Sequence, residues 1–520
     1  MKQVFKKLFV AVFCLLLFIS YLPAQASETN PDDQTNTEES PAPEISSIDI
    51  SVIQCAPRYA SITWDCDDEN ASYKITRATS ENGKYVHVRT FTGKSGSFTY
   101  VDNAKKRTVG NTYYYKVEKI TDGIVTGASA PTPVIIRLGT PANVKVVDTS
   151  GNSMKVSWDK VPEASGYYVY RSLTRDGEYT KMFTTSKTTY TNSSVYSANS
   201  YYYKVYAYKK DKPDALSDPS EIAAGFTRPL KTTLKGFYFE GQTTLTWAKV
   251  SKADKYYVYK KKFEGSYEKV CETTDLTYFD TDLEKDTRYL YAVKAVSEID
   301  GKEVKSYYSD AVGVYTVKIN PKKKMIALTF DDGPGPYTQA IVNCLKKYDA
   351  RATFFIVGNR VKTYKSPMKS AYKYGSEIAN HTYSHPILTK LSSSSVKSQI
   401  SKTDTAVKDV IGVKTDIMRA PGGGTNSSVR KAVGKPIIYW SVDTLDWKTR
   451  SKTKTVNSVM NNAKDGAIVL MHDIHSPTKE AALSIIPKLD AKGYQMVTVS
   501  EMALYNGYNM KNGTTYYSLK

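Results

Sequence analysis

Cysteine is scarce in this 520-residue chain: there are five, and one of them, Cys14, lies within the apolar run from Leu8 to Leu22. Cys55, Cys66, Cys271 and Cys344 are too few to staple a chain of this length into a disulfide framework, so stability must come from packed cores. Cys55 and Cys66 flank a hairpin, which leaves a pairing of the two open, but a hairpin symmetric about Arg58 would not set them opposite each other, and the bland reading is four unpaired thiols. Long apolar runs are equally scarce: after residue 22 no stretch is long and apolar enough to cross a bilayer. Histidine is rare at five copies, and 29 Gly with 21 Pro exclude a collagenous or low-complexity chain. The length exceeds what one core organises, so three to five domains are expected.

What is present begins with a basic start (Lys2, Lys6, Lys7), the apolar run, and small residues at Ala24 and Ala26. Residues 1–26 therefore have the form of a secretory signal peptide, and the expected localisation is secreted and extracellular, with wall association a further expectation. Cys14 is followed by Leu15 to Leu17, so it lacks the position of a lipid-attachment cysteine, and no stable membrane anchor is expected after cleavage. Residues 27–45, rich in Pro, Glu, Asp and Thr, form an expected flexible linker. Charge is uneven. The net +20 is concentrated after residue 317, where 31 basic residues face 14 acidic ones. A field of one sign attracts polyanions. For a secreted chain an anionic cell wall polymer is the expected partner rather than nucleic acid, the bland reading being a surface that keeps the protein soluble.

An internal repeat follows the linker. Trp64 in SITWDC, Trp158 in KVSWDK and Trp247 in TLTWAK are each followed by an alternating segment, SYKITRA, YYVYRS and YYVYKK. Tyr113, Tyr201 and Tyr289 lie in a third landmark, TYYYKV, SYYYKV and RYLYAV, at a spacing of 88. Alternation over five to seven positions, with turn residues between, describes antiparallel strands of a sandwich. The pattern resembles fibronectin type III modules, placed at residues 46–138, 139–228 and 229–317. The resemblance implies spacing or attachment without catalysis, and the modules are candidates for binding wall or other surface glycans. The tryptophans are expected as core anchors, and the many tyrosines as rings packed on one face with the hydroxyl in water.

Four of the five histidines, His381, His385, His472 and His475, fall in residues 318–520. Around them apolar segments (Met325–Phe330, Ala352–Val357, Pro436–Val442, Ala467–Met471, Gln495–Val499) alternate with helical ones (Gln339–Tyr348, Val396–Val410, Lys479–Leu489), which means parallel strands covered by helices. In such folds chemistry collects at the carboxyl ends of the strands. There stand TFDDGP with Asp331 and Asp332, then HTYSH with His381 and His385. Two adjacent carboxylates suit a metal on one and a free base in the other. The i, i+4 histidines would share one face of a helical turn ended by Pro386. One carboxylate and two imidazoles make a three-ligand site with open positions, as in catalytic zinc centres. RAPGGG after Met418, DTLDW, and IVLMHD with His472 complete the set, the last having the form of a general acid.

In order, TFDDGP, HTYSH, RAPGG, DTLDW and IVLMHD resemble the five motifs of the polysaccharide deacetylases, carbohydrate esterase family 4 or NodB homology domain, over about residues 320–505. The resemblance implies a distorted (β/α) barrel that removes N- or O-acetyl groups with a divalent metal, most expectedly Zn2+, with Co2+ or another borderline ion as alternatives. It implies Asp331 as general base, Arg419 orienting it, and Asp332, His381 and His385 as metal ligands. It further implies His472 as general acid partnered by Asp446, Leu470 and Trp447 lining the acetyl pocket, and the Gly422 N–H stabilising the oxyanion. Many members carry an aromatic residue where this chain has Gly422, so substrate choice departs from the common pattern; the Pro-Gly-Gly form is similar to peptidoglycan N-acetylglucosamine deacetylases. Asp473 and His475 gain no role and are expected in a solvated loop. The architecture expected is three all-β sandwiches and one barrel, the substrate an N-acetylglucosamine-containing wall glycan. Alternatives are an O-acetyl esterase on xylan or a similar glycan, and a noncatalytic wall-binding or adhesion protein.

Overall fold

The computed structural model describes residues 44–103 and 107–520, so the expected signal peptide and nearly all of the expected linker lie outside the described residues. The described chain forms two compact units, the first of them residues up to 53, 61–102 and 113–133. In the first, Val86–Thr92, Ser72–Ala78, Thr112–Thr121 and Ile124–Ala128 are neighbours in one antiparallel sheet. Trp64 is 2% exposed and packs 5.7 Å from Phe91 and 6.0 Å from Phe98.

The second unit opens with two further copies of the same plan. In one, the sheet Lys145–Asp148, Met154–Ser157, Thr189–Asn192 accompanies Thr180–Thr185, Gly166–Ser172, Ser200–Tyr208, Ala223–Phe226. In the other, Leu234–Phe239, Gln242–Trp247, Thr277–Asp280 accompanies Glu268–Thr273, Lys255–Lys262, Arg288–Ile299, Lys302–Lys305. Leu245 and Trp247 of the smaller sheet share a core with Val258, Tyr291 and Val293 of the larger, so the two sheets pack face to face. All three tryptophans are buried beside the first tyrosine of the next strand, Tyr73, Tyr167 and Tyr256. The hydroxyls of these three are not left to water. Each accepts a backbone N–H from six residues earlier: Asp67 (3.2 Å), Val161 (2.8 Å) and Val250 (2.8 Å). A buried ring cannot leave its polar tip unpaired, so the sequence period becomes a repeated hydrogen bond. The four cysteines of the described chain are free thiols.

Residues 318–520 form an α/β region. Glu377–Asn380, Thr353–Ile356, Met325–Gly333, Ala467–His472 and Val442–Asp443 pair in that order, all parallel. The central strand is buried on both faces from Met325 to Asp331, which is why its sequence is a continuous apolar run rather than an alternation. Bridges Asn380 to Met418 and Met418 to Ile437, and the pairing of Ile437–Ile438 with Thr515–Tyr516, continue the parallel pattern. The expected strand Pro436–Val442 is in fact two. Ile437–Ile438 pairs with Thr515–Tyr516 while Val442–Asp443 pairs with Val469–Leu470, and the Tyr439 carbonyl between them serves Arg419 instead of a ladder. The expected helices appear as Thr338–Lys347, Ser393–Ile411 and Ser476–Ala491. Ser393–Ile411 is capped at one end by Ser392, whose hydroxyl accepts from Ser395 N, and at the other by left-handed Gly412.

The third repeat packs against the end of this region where the strands begin. Arg288 Nε donates to Tyr372 O at 2.9 Å and Nη2 to Ser376 O at 3.2 Å, and the guanidinium lies 4.1 Å from the Tyr372 ring centroid. Leu290 joins the main α/β core, Glu264 pairs with Lys369 and Lys373, and Asp310 pairs with Lys408 and Lys414. Residue 317 is therefore a change of architecture within one packed unit.

Candidate active site

Near the end of the central strand, Asp331 lies opposite His472 in the parallel ladder. Two distant motifs are thus set side by side by register alone. Asp331 is 4% exposed, and its Oδ1 accepts from Arg419 Nη1 at 2.7 Å. Arg419 is wholly buried and bonded at every nitrogen, with Nε to Ile438 O (3.0 Å), Nη1 also to Thr329 Oγ1 (2.7 Å) and Nη2 to Tyr439 O (3.0 Å). A planar guanidinium held at three nitrogens fixes the carboxylate it touches. Asp332 follows in the left-handed region, φ 67°. That conformation costs a residue with a Cβ roughly 1–2 kcal/mol and persists only where its surroundings over-determine it.

The HTYSH segment is not the expected helical turn. It is a loop after strand Glu377–Asn380, with Thr382 at φ 67° and His385 at φ 58°. Side chains replace the helical ladder: Asn380 Oδ1 accepts from Thr382 N, Gln399 Oε1 from Tyr383 N and Ser384 N, and Thr382 Oγ1 from His385 N. The two left-handed residues still bring the imidazoles together, with ring centroids 5.0 Å apart. His381 Nε2 and His385 Nε2 lie 3.5 and 3.1 Å from Asp332 Oδ1. That oxygen is buried and has no hydrogen-bond partner. His381 Nδ1 is 2.8 Å from the Arg419 carbonyl, a partner that can only accept, which fixes the tautomer and turns the Nε2 lone pair toward Asp332. One ligand atom from each of Asp332, His381 and His385 lies within 4.8 Å of the others. A buried orphan carboxylate oxygen facing the Nε2 atoms of two imidazoles fits a divalent cation. Burial would raise the Asp332 carboxyl, but His381 and His385 in their protonated forms outweigh it and hold it well below the usual range.

On the other side His472 Nδ1 contacts Asp446 Oδ1 at 2.8 Å, and Asp446 Oδ2 accepts from His472 N (2.8 Å) and Thr478 Oγ1 (2.7 Å). Burial would lower the imidazole, but the Asp446 hydrogen bond and charge, with Asp331 and Asp332 nearby, push it up to about 9. A cationic imidazole with Nδ1 engaged keeps Nε2–H for donation. Leu470 is buried two residues before His472 on the same strand, hence on the same face. Trp447, half-exposed, follows Asp446 in the short helix Asp446–Thr449, and Gly422 sits at φ 63° in the turn after Arg419. All ten expected site residues thus lie near strand ends, or in the turns and the short helix that adjoin them, in one region.

Asp473 departs from expectation: it is wholly buried instead of solvated, and burial pushes its carboxyl up to about 7. His475 is partly exposed, its ring 6.3 Å from that of His472. Thr329 and Thr478, which support Arg419 and Asp446, escaped the sequence reading because a lone threonine carries no pattern. Each becomes visible only through its partner.

A family model for polysaccharide deacetylase matches residues 318–436. Among curated proteins, the peptidoglycan-N-acetylmuramic acid deacetylase PdaC of Bacillus subtilis is 43% identical over 185 residues, 35% of this chain and 40% of that protein. The peptidoglycan-N-acetylglucosamine deacetylase PgdA of Listeria monocytogenes is 40% identical over 40% of this chain and 45% of its own length. A peptidoglycan-N-acetylglucosamine deacetylase of Bacillus cereus is 36% identical over 38% of this chain and 96% of its own length. The matches to the first two thus span less than half of each.

Proposed function

Because the chain belongs to the polysaccharide deacetylase family through its C-terminal region, we propose that it is a secreted, metal-dependent deacetylase of an N-acetylglucosamine-containing wall glycan, with peptidoglycan the expected substrate. The observation that carries this reading is the convergence of a cation-ready triad, Asp332, His381 and His385, with an Arg419-held carboxylate and an Asp446-held imidazole. A divalent ion bound there, zinc by its ligand set, would polarise the acetyl carbonyl and raise the acidity of a water. Asp331 accepts the water proton, its carboxylate held by Arg419. The Gly422 N–H donates to the developing oxyanion. His472 then protonates the departing nitrogen, with Asp446 holding its charge and tautomer. Leu470 and Trp447 line the acetyl methyl. The products are acetate and a free amine, a new cation in a formerly neutral unit, which would lower the net negative charge of a wall.

On this reading residues 318–520 are a distorted (β/α) barrel, and residues 46–138, 139–228 and 229–317 are fibronectin type III-like modules that serve attachment. The basic excess of the last 203 residues supports an anionic wall over nucleic acid as partner. The test is mass spectrometry of glycans incubated with the purified protein, across peptidoglycan, chitin oligomers, poly-N-acetylglucosamine and acetyl-xylan. Loss of acetate mass from acetylated amines supports the proposal; release from acetyl-xylan alone makes the protein an O-acetyl esterase, and release from none makes it a binding protein.

A further inference from the structure

Asp473 has no part in the chemistry above, yet it is a carboxyl with no exposed surface immediately after His472. Its Oδ2 accepts from the Thr338 hydroxyl, and that hydroxyl in turn accepts from Gly335 N at 2.8 Å. A Cβ on Gly333 would lie 2.5 and 2.7 Å from the two Asp473 oxygens, so the carboxyl is pressed against the turn that follows Asp332, and only glycine fits there. The far side of the same turn is also pinned: Gly333 O accepts from Val357 N at 2.8 Å and Pro334 O from Arg360 Nε at 3.1 Å. A buried carboxyl with one oxygen, Oδ1, lacking any hydrogen-bond partner among the described residues is costly, and such cost is tolerated where the group holds something in place.

What lies within this bracket is Asp332, a left-handed residue whose neighbours must over-determine it. We propose that Asp473 is a positioning residue for the metal ligand: with Thr338 it clamps the Asp332–Gly335 turn to the end of the His472 strand and keeps Asp332 Oδ1 facing His381 and His385. The inference rests on the metal reading of that triad and adds a residue to it. It also explains why Asp473 follows directly on His472, since the ladder that pairs Asp331 with His472 places the next residue under the turn.

The test is Co2+ titration of the full chain, read by the visible absorption of the bound ion and by chelator competition. Asp473→Ala is expected to weaken Co2+ binding about tenfold or more, the scale seen when groups behind metal ligands are removed. Asp473→Asn keeps an oxygen for the Thr338 hydroxyl and is expected to restore binding to within about threefold of wild type. Thr338→Val breaks the bracket without touching a carboxyl and is expected to match Asp473→Ala, which keeps the test decisive should Asp473→Ala fail to fold. Wild-type affinity in Thr338→Val, or Asp473→Asn as weak as Asp473→Ala, would overturn the proposal. A wild-type chain without Co2+ affinity would overturn it together with the metal reading. Tight Co2+ binding without acetate release from any glycan would overturn the proposed function alone.

Discussion

The two ends of the parallel strands both bury charge, and they treat it in opposite ways. At the end where the strands begin, Arg288 is met by two carbonyls and two aromatic rings, Arg351 Nε lies 3.0 Å from both oxygens of Glu501, and Glu377 accepts from Thr353 and Ser500. At the end where they finish, Arg419 is as well satisfied, but Asp332 and Asp473 each keep a buried oxygen without a partner. Satisfied buried charge stabilises and specifies; orphaned buried charge is unstable until something completes it. The first end is built to hold and the second to receive.

The sharpest way to break this contrast is to remove the receiving groups. Asp332→Ala, His381→Ala and His385→Ala should each lose bound metal, whereas Asp331→Asn should keep it and lose about 10²–10⁴-fold in turnover, the usual worth of a general base. Elemental analysis beside acetate release decides, and an Asp331→Asn protein without metal would exchange the roles of the two carboxylates.

At the holding end the expected loss is in stability and not in chemistry. Arg288→Met should leave the Ser376 carbonyl without its guanidinium donor while Tyr372 O keeps the Gly375 N–H, at a cost of about 1–3 kcal/mol, and lower the melting temperature by roughly 2–12 °C. Residues 318–520 alone should melt below residues 229–520 for the same reason, while still acting on short soluble oligomers because the site lies at the other end. Calorimetry of both, with turnover measured well below melting, checks this; equal melting temperatures would make the third repeat a mere neighbour.

Acidity separates the ends again. His472 is raised to about 9, so the stability of its pair with Asp446 is fully present below the unfolded value near 6.5 and is lost as pH rises through about 9. Turnover should fall over the same limb, and Asp446→Asn should move that limb to lower pH. Glu377 changes in the same direction but at lower pH and for a different reason: burial disfavours its charge and raises it to about 7, so between about 4.3 and 7 the folded state holds the proton more tightly than the unfolded one. Stability should therefore decline with rising pH across that window, and Glu377→Gln should flatten the decline in a denaturation series.

The smallest effect concerns neither end but the basic surface. Raising salt to about 0.5 M should weaken binding to intact walls, since exposed charges are screened within about 8 Å already at 0.15 M, and leave turnover of short oligomers nearly unchanged. Equal losses on both would mean that salt reaches the buried pairs.

Much of this was legible in the chain. Three tryptophans and three tyrosine strands at a period near 90 appear as three two-sheet repeats, because alternation is a direct image of a strand with one buried face. The five ordered motifs contain Asp332, His381 and His385, which the fold brings within 4.8 Å of one another, and Asp331 and His472, which it sets side by side, since each lies within a short segment around a strand end. The i, i+4 spacing of HTYSH predicts a helical turn, whereas Asn380 and Gln399 hold left-handed turns that no local pattern announces. The break in Pro436–Val442 was hidden for a similar reason: an apolar run does not say which neighbour each half will pair with.

Residue type and order, with the family resemblance they carry, were enough to name the groups proposed to bind a cation, take a proton or give one, because that chemistry belongs to the side chains. Only the folded structure decided that Asp331 stands beside His472, that Arg419 is buried against Asp331, that Asp473 lies under the Asp332 turn, and that Arg288 joins the third repeat to the α/β region. Each of these joins positions tens to more than a hundred residues apart through ladder register and packing, and those contacts exist only once the chain has closed on itself.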